Sequence, residues 1–547
     1  METGIVNVRV DIMNPEQKKA DYKTVRVAAV SPDNAMDADE LSQALEAAHT
    51  EVQSMGEMLL EVGGGESVFG PTAPLDEESL DATLTSIQAT ATSWDAAATV
   101  LNRYSDSNEG TARSRADVLV RMRPGSRQPL EVRVAVIGNV DSGKSTIVGV
   151  LTRSILDDGR GLARSKVFKH HHEESTGRTS CVGQHNLCLD ERGEILNNAM
   201  FKSNNCAEYV AKSGKVVTLV DLAGHERYFR TTAFGLTGHM PDYACLVIGA
   251  NAGLIGMCKE HLGVALALKV PTFFLVTKCD DLCPEHVLKD SLKRLSTLLK
   301  KNGVKKRPFV VHNVADALTC AKNIQSASLA PIFLTSAVTG RGLDLLRCFL
   351  NLLPQRQRWG EHAQEATEFV IDETFGVPGV GTVVAGTVKR GVIHVNSNLM
   401  LGPDIGDGSF WTTAVKSVHY KRMPVNQVVA GQTAALALKK VKRSQVRKGM
   451  VLVDEKVKPR ASWEFDADIA ILTHSTTIQP SYQAVIHCEI IRQAARVIAM
   501  DTERLRSGDR AIVRFRFLQR PEYLNAGSRF VFREGKTKGI GVITSVH

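Results

Sequence analysis

Paired cysteines are missing from this sequence: its ten cysteines include no CxxC spacing, and none lies in the first 180 residues. A secreted disulfide framework or a zinc ribbon needs closer pairing, so reduced and mostly buried thiols are expected. The nearest approach to a pair, Cys279 and Cys283, points to no redox or metal role. No apolar run nears the ~20 residues that a membrane helix requires. The opening METGIVNVRVDIMNPEQKK has no secretory layout. Internal repeats and low-complexity tails are also absent. These absences predict a soluble, cytoplasmic protein without a membrane partner. Of the 547 residues, 43% are hydrophobic and 23% charged, which excludes wholesale disorder. At roughly 100 to 200 residues per domain, about three to five folded units are expected.

The net charge of +8 conceals an asymmetry. Residues 1–129 carry 11 basic and 21 acidic side chains, whereas residues 355–547 carry 28 and 18. A basic body fits a polyanion partner, and the acidic head either faces another partner or folds back on that surface. Variation among solvated surfaces is the alternative.

Texture divides the chain into four parts, so a multidomain fold is expected. Residues 1–128 mix short alternating runs (IVNVRVDI, KTVRVAAV, DVLVRMR) with helical stretches at Ala35–Glu61 and Leu80–Tyr104, which predicts a small α+β domain. Over 129–356, apolar strands such as VRVAVIG, KVVTLVDLA and TFFLVTK alternate with helices, the pattern of an α/β domain with a mostly parallel sheet. Short strands with glycine turns then predict two antiparallel β-barrels, over 364–457 and 460–547.

The strongest motif is Gly138-Asn139-Val140-Asp141-Ser142-Gly143-Lys144-Ser145-Thr146, which follows a strand and opens a helix. It fits GxxxxGK[ST], a P-loop whose backbone N–H groups wrap phosphate oxygens. Lys144 then neutralises the β and γ phosphates, and the Ser145 hydroxyl ligates Mg²⁺. Asp221-Leu222-Ala223-Gly224 follows the strand KVVTLV, placing Asp221 to hold Mg²⁺ and the Gly224 N–H to sense the γ-phosphate. Thr277-Lys278-Cys279-Asp280 closes TFFLV. A carboxylate at Asp280 accepts both the N1 and N2 protons of guanine, a donor pair that adenine lacks. Lys278 packs its stem over the base, and Ser336-Ala337 offers a backbone contact to the guanine oxygen. Thr277 stands where GTPases usually place Asn, leaving a hydroxyl for the amide's contacts. The expected ligands are GTP or GDP with Mg²⁺.

Longer strings carry a resemblance. GNVDSGKSTIVGVLTR, GRTSCVG, DLAGHERYFRTTAFGLTGHMPDYACLVIGAN, VPGVGTVVAGT, ALKKVKRSQVRKGMVLV and RFVFREGKTKGIGVIT look like the GTP-binding protein 1 and 2 family of translational GTPases. The likeness runs from about Glu131 to Ile543. It implies an elongation factor Tu-like G domain and two β-barrels. It also implies that Thr179 of switch I senses the γ-phosphate and Mg²⁺, and that His225 orients the attacking water. Arg178 stands where the related motif has isoleucine, so a two-sided hydrophobic gate around His225 is not implied. The implied activity is GTP hydrolysis, catalysed by His225 and Lys144 and stimulated by the ribosome, with aminoacyl-tRNA as a partner and no DNA. Relief of stalled elongation and messenger RNA turnover through the exosome are further implied roles. The alternative is a GTP-gated adaptor that recruits RNA-decay machinery, hydrolysis being secondary. The sequence read to its third domain predicts no C-terminal modules like those of the selenocysteine factor, and with no GGQ motif in it no peptide release is expected.

Two clusters remain. His170, His171 and His172 with Glu173 read as a basic switch surface rather than a metal site. The run Lys439, Lys440, Lys442, Arg443, Arg447 and Lys448, with Lys421 and Arg422, is placed to grip RNA phosphates, a solvated barrel face being the alternative.

Overall fold

A computed structural model describes residues 25–27 and 45–547 except 47, 64, 68–69, 73–76, 109–110, 126–127, 199, 201–205, 255, 281–282, 302, 327, 475 and 535–536. The expected strand IVNVRVDI lies outside the described residues.

The N-terminal unit is a four-stranded sheet in the order Val25–Val27, Glu57–Val62, Thr111–Met122, Ala96–Asn108. One face packs Leu60, Val118 and Val120 against Leu84 and Ile87 of the helix Glu77–Ser93. Both helices expected here stop early. The first is helical over 48–55, then Gly56 turns at φ 85° into the strand Glu57–Val62. The second ends at Ser93, where Asp95 (φ 57°) starts the strand Ala96–Asn108. Ala96–Leu101 can form helix on propensity alone, but pairing along the whole hairpin with Thr111–Met122 overrides that preference.

The sheet's other face docks on the G domain. Leu59 joins that domain's core, and the buried Glu57 carboxylate pairs with Arg121 of its own sheet and with Lys215 at the start of a G-domain strand. Arg121 also donates to the Asn351 carbonyl and side-chain oxygens, at 3.1 and 2.8 Å.

The G domain has seven strands in the order Arg307–Val310, Leu329–Leu334, Thr272–Thr277, Tyr243–Gly249, Leu130–Gly138, Lys215–Asp221, Gly183–Leu189. All run parallel except the last. The central strands are buried on both faces, which is why they read as unbroken apolar runs. The antiparallel edge strand, Gly183–Leu189, directly follows the segment that carries Thr179 and pairs along its whole length with Lys215–Asp221.

Two closed antiparallel barrels of six strands follow. In the first, Asn398–Gly402 pairs with both Val451–Val453 and Trp411–Tyr420, closing the ring. The second spans strands from Glu464–Thr473 to Thr537–Val546. Ion pairs fasten the units: a buried one from Glu131 to Lys421 (3.0 Å) between the G domain and first barrel, and two between the barrels, the half-buried Lys389 to Glu489 (2.9 Å) and the half-buried Arg447 to the buried Glu522 (2.8 Å). No helix among the described residues is long and apolar enough to cross a membrane.

Candidate functional site

The strand Leu130–Gly138 ends at the C-terminal edge of the sheet, where ligands of open α/β folds gather. Gly138 has φ 146°, and a Cβ there would fall 2.3 Å from the Val247 carbonyl oxygen, so glycine is required. The loop then passes Asp141 (φ 58°) and Gly143 (φ 89°) into the helix Lys144–Arg153. Lys144, Ser145 and Thr146 at the helix start line a cavity of about 440 Å³, within the size range of ligand pockets. Val140, Asp141 and Gly143 line it as well. Gly138, Asn139 and Ser142 lie behind the wall and shape the loop, with the Ser142 hydroxyl donating to the Asn139 carbonyl at 2.9 Å.

Lys144 is buried and its Nζ donates to the Asn139 carbonyl at 2.6 Å. Burial lowers its pKa, against the opposing pull of Asp221. Gly224 lies directly against it: a Cβ there would come within 2.4 Å of the Lys144 Nζ.

Three oxygens converge below this lysine. The Ser145 Oγ is 2.6 Å from both the Thr179 Oγ1 and the Asp221 Oδ2, and Thr179 donates to the same carboxylate oxygen at 3.4 Å. Octahedral Mg²⁺ bound at 2.0–2.1 Å sets neighbouring ligands about 2.9 Å apart, so the triad's spacing fits that ion. The Asp221 Oδ1 is buried without a hydrogen-bond partner, a second sign that a cation belongs here. Burial pushes the Asp221 carboxyl up to about 6, although the Ser145 hydrogen bond and the Lys144 charge oppose it.

Switch I is organised by Glu173, which is 1% exposed on the short helix His171–Thr176. Its Oε1 accepts from the Ser180 N–H (2.7 Å), the Ser180 hydroxyl (2.9 Å) and the Cys181 N–H (3.1 Å). Its Oε2 accepts from the Lys169 N–H at 3.1 Å. These bonds fix the segment that carries Thr179. The His170 and His172 rings stack at 5.3 Å while His171 is exposed, and no cluster of three or more His, Cys, Asp or Glu suited to a metal occurs among the described residues.

His225 lines the cavity and caps the turn Glu226–Tyr228, its Nδ1 accepting from the Arg227 N–H at 3.1 Å. In this conformation the neutral ring carries its proton on Nε2.

Thr277, Lys278, Asp280 and Ala337 also line the cavity. The Thr277 hydroxyl donates to the Ser142 carbonyl at 2.7 Å, tying this strand end to the P-loop. Asp280 receives the Ser336 hydroxyl at 3.0 Å, and the Ser336 Oγ in turn accepts the Val338 and Thr339 N–H groups. Ser336 itself is fully buried behind the wall.

Two features escaped the sequence reading. The loop Asp157–Arg164 forms part of the wall, and its paired aspartates before Gly-Arg-Gly are a legible turn signal. His261, fully buried, accepts the Gly138 N–H through Nδ1 at 3.2 Å and stacks on Phe229, which lies under Arg533 of the second barrel. Nothing local in the sequence signals that contact.

Comparison with known proteins agrees with this architecture. The elongation factor Tu GTP binding domain family matches residues 131–355 and elongation factor Tu domain 2 matches 381–453. GTP-binding protein 1 of Xenopus laevis is 48% identical over 90% of this chain and 74% of its own. GTP-binding protein 2 of Homo sapiens is 42% identical over 89% and 82%. Among solved structures, the elongation factor SelB of Methanococcus maripaludis in complex with the GTP analogue GppNHp superposes with a TM-score of 0.55 at 19% identity, covering 77% of this chain and 80% of that one. A bacterial selenocysteine-specific elongation factor gives 0.54 at 18% identity, covering 76% of this chain, which spans 58% of that factor's length. The cavity is therefore that of a GTP-binding domain with the fold of translation factors, and the chain belongs to the GTP-binding protein 1 and 2 family of elongation factor Tu-like translational GTPases.

Proposed function

We propose that the chain binds GTP with Mg²⁺, engages aminoacyl-tRNA and the ribosome in the cytoplasm, and hydrolyses GTP when the ribosome orders its switches. The observation that carries this reading is the convergence of Lys144, Ser145, Thr179 and Asp280 on one cavity, with the buried Asp221 hydrogen-bonded to Ser145 behind it and His225 on its wall. Ser145, Thr179 and Asp221 hold Mg²⁺, which when bound screens the charge of the phosphate oxygens. Lys144 and the P-loop N–H groups bind the phosphates and stabilise charge developing on them. The Gly224 N–H reads the γ-phosphate. Asp280 accepts the guanine N1 and N2 protons while Lys278 covers the base.

His225 has its Nδ1 committed to the Arg227 N–H, so the group it offers the cavity is an Nε2–H donor. A donor orients the water oxygen toward the γ-phosphorus without removing its proton. SelB and elongation factor 1-alpha are named as elongation factors, which supports translation as the setting.

The test is single-turnover GTP hydrolysis by the full chain with and without ribosomes, alongside co-purification of aminoacyl-tRNA in GTP and GDP. Stimulation together with GTP-dependent capture of the tRNA is expected. An unstimulated rate and no tRNA in either state would replace this reading with the GTP-gated adaptor of RNA decay.

A further inference from the structure

We propose that Arg164 is a nucleotide-binding residue: its guanidinium, supplied from within the chain, donates to the phosphate oxygens of the bound nucleotide. This rests on the reading of the cavity as a GTP site.

The loop that presents Arg164 is built to stay in place. The Asp157 Oδ1 accepts the Ala163 N–H at 2.9 Å and its Oδ2 the Gly159 N–H at 3.1 Å. Asp158 Oδ1 accepts three successive N–H groups, from Arg160, Gly161 and Leu162. The turn Leu162–Ser165 is pressed on the P-loop helix at Gly149, where a Cβ would fall 2.2 Å from the Ala163 carbonyl oxygen. Arg164 is therefore referenced to the same helix that starts with Lys144.

Its side chain lies across two bare glycines. A Cβ on Gly161 would fall 2.3 Å from the Arg164 Nε, and one on Gly177 would fall 3.3 Å from its Nη2. Both glycines have left-handed φ, 105° and 65°. Gly177 is two residues before Thr179, so the guanidinium bridges the loop after the P-loop helix and the switch segment. Contact of this kind restricts the rotamers before any ligand arrives, which removes part of the entropy cost of binding.

What the guanidinium lacks is an acceptor. It has no hydrogen-bond or ion-pair partner among the described residues, and both oxygens of the nearby Asp157 are occupied by backbone N–H groups. Arg153 on the preceding helix, by contrast, donates to the Lys166 carbonyl. Arg164 lines the cavity with Lys144, Arg160 and Arg178, so the wall presents an excess of cations to whatever enters. A planar fork of unspent donors in such a wall matches phosphate oxygens, which it can engage in pairs.

The test uses the full chain and a non-hydrolysable GTP analogue, with the melting temperature of the nucleotide-free protein measured in parallel. Arg164→Ala should weaken the analogue about 10-fold or more, as expected for losing charge-assisted hydrogen bonds. The nucleotide-free melting temperature should stay within about 2 °C of wild type, because no protein acceptor loses its donor. Arg164→Lys should recover only part of the affinity, since an ammonium cannot lie across both glycines and donate in a fork. Analogue affinity within twofold of wild type for Arg164→Ala, with binding abolished by Lys144→Ala, would leave the site standing and overturn the role of Arg164. A fall in nucleotide-free melting temperature large enough to account for the lost affinity would also overturn it, as packing. If Lys144→Ala bound as tightly as wild type, the nucleotide site would fall and this proposal with it.

Discussion

Asp280 and His225 both line the cavity but are held in different ways. The Asp280 carboxylate is braced by the Ser336 hydroxyl, which the backbone of Val338 and Thr339 fixes in turn. A braced acceptor cannot relax around a base with the wrong donors, so Asp280→Asn should lower GTP affinity by about 10²-fold or more. It should improve binding of xanthosine triphosphate, which presents a carbonyl where guanine has its amine; competition binding of the two nucleotides measures both. Among the described residues His225 makes no hydrogen bond to Asp280 or to the Ser145–Thr179–Asp221 triad, and its Nδ1 accepts from its own turn. His225→Ala should therefore leave GTP affinity nearly intact while slowing ribosome-stimulated hydrolysis by ~10²-fold, the scale of a lost positioning group. Wild-type stimulated turnover with collapsed affinity would make the residue structural.

Among the elements, the switch segment depends most on one side chain. Burial alone would raise the Glu173 carboxyl, but donors from Ser180, Lys169 and Cys181 hold it down at about 2. Its folded pKa lies below the unfolded value, so its stabilising contribution is complete above about 4.5 and is lost as pH falls toward about 2. Glu173→Gln keeps the shape, removes the charge and puts an NH₂ where one oxygen accepted. Amide hydrogen exchange at Ser180 and Cys181 should accelerate in this variant at pH 7, and the acid sensitivity of the wild-type segment should disappear. Unchanged exchange would mean that the helix His171–Thr176 holds the segment without Glu173. The early ends of the two N-terminal helices belong to this scale too: Gly56 and Asp95 break them, and strand pairing takes over.

For the whole molecule, the acidic head is joined to the body by a buried charge cluster at the ends of the G-domain strands remote from the cavity. Glu57 stands between Arg121 and Lys215, both fully buried. Glu57→Ala leaves two buried cations without their carboxylate and should cost about 3–5 kcal/mol. Urea melts of the full chain should register that loss, with GTP affinity little changed because Lys215 and Asp221 occupy opposite ends of one strand. The barrels carry the remaining basic surface. Lys439, Lys440, Lys442, Arg443 and Lys448 are exposed, but Lys421 is buried against Glu131, and Arg447 is half-buried against Glu522. Those last two residues serve the domain interfaces and are withdrawn from the RNA surface read in the sequence. If the exposed set binds phosphates, replacing Lys439, Lys440, Lys442 and Arg443 by Ala should flatten the salt dependence of RNA affinity by up to about one unit of slope per lost contact. A slope equal to wild type would assign this face to solvent.

The sequence by itself determined the features whose cause is local. Apolar strands of fixed length, each closed by a glycine or polar motif, specify a buried parallel sheet. Gly138–Thr146, Asp221–Gly224 and Thr277–Asp280 are legible because each stands at the end of such a strand. Alternation with glycine turns likewise specifies barrels. Only the tertiary structure decided the rest. It aligned those strand ends on one edge, brought the Thr179 hydroxyl to Ser145, placed His261 behind Gly138 and laid Arg164 across Gly161 and Gly177. It also diverted Lys421 to a carboxylate in a different domain. The physical reason is that a charged or polar side chain takes its role from the partner it meets, and these partners are joined by packing between distant elements, which the chain's local periodicity does not encode.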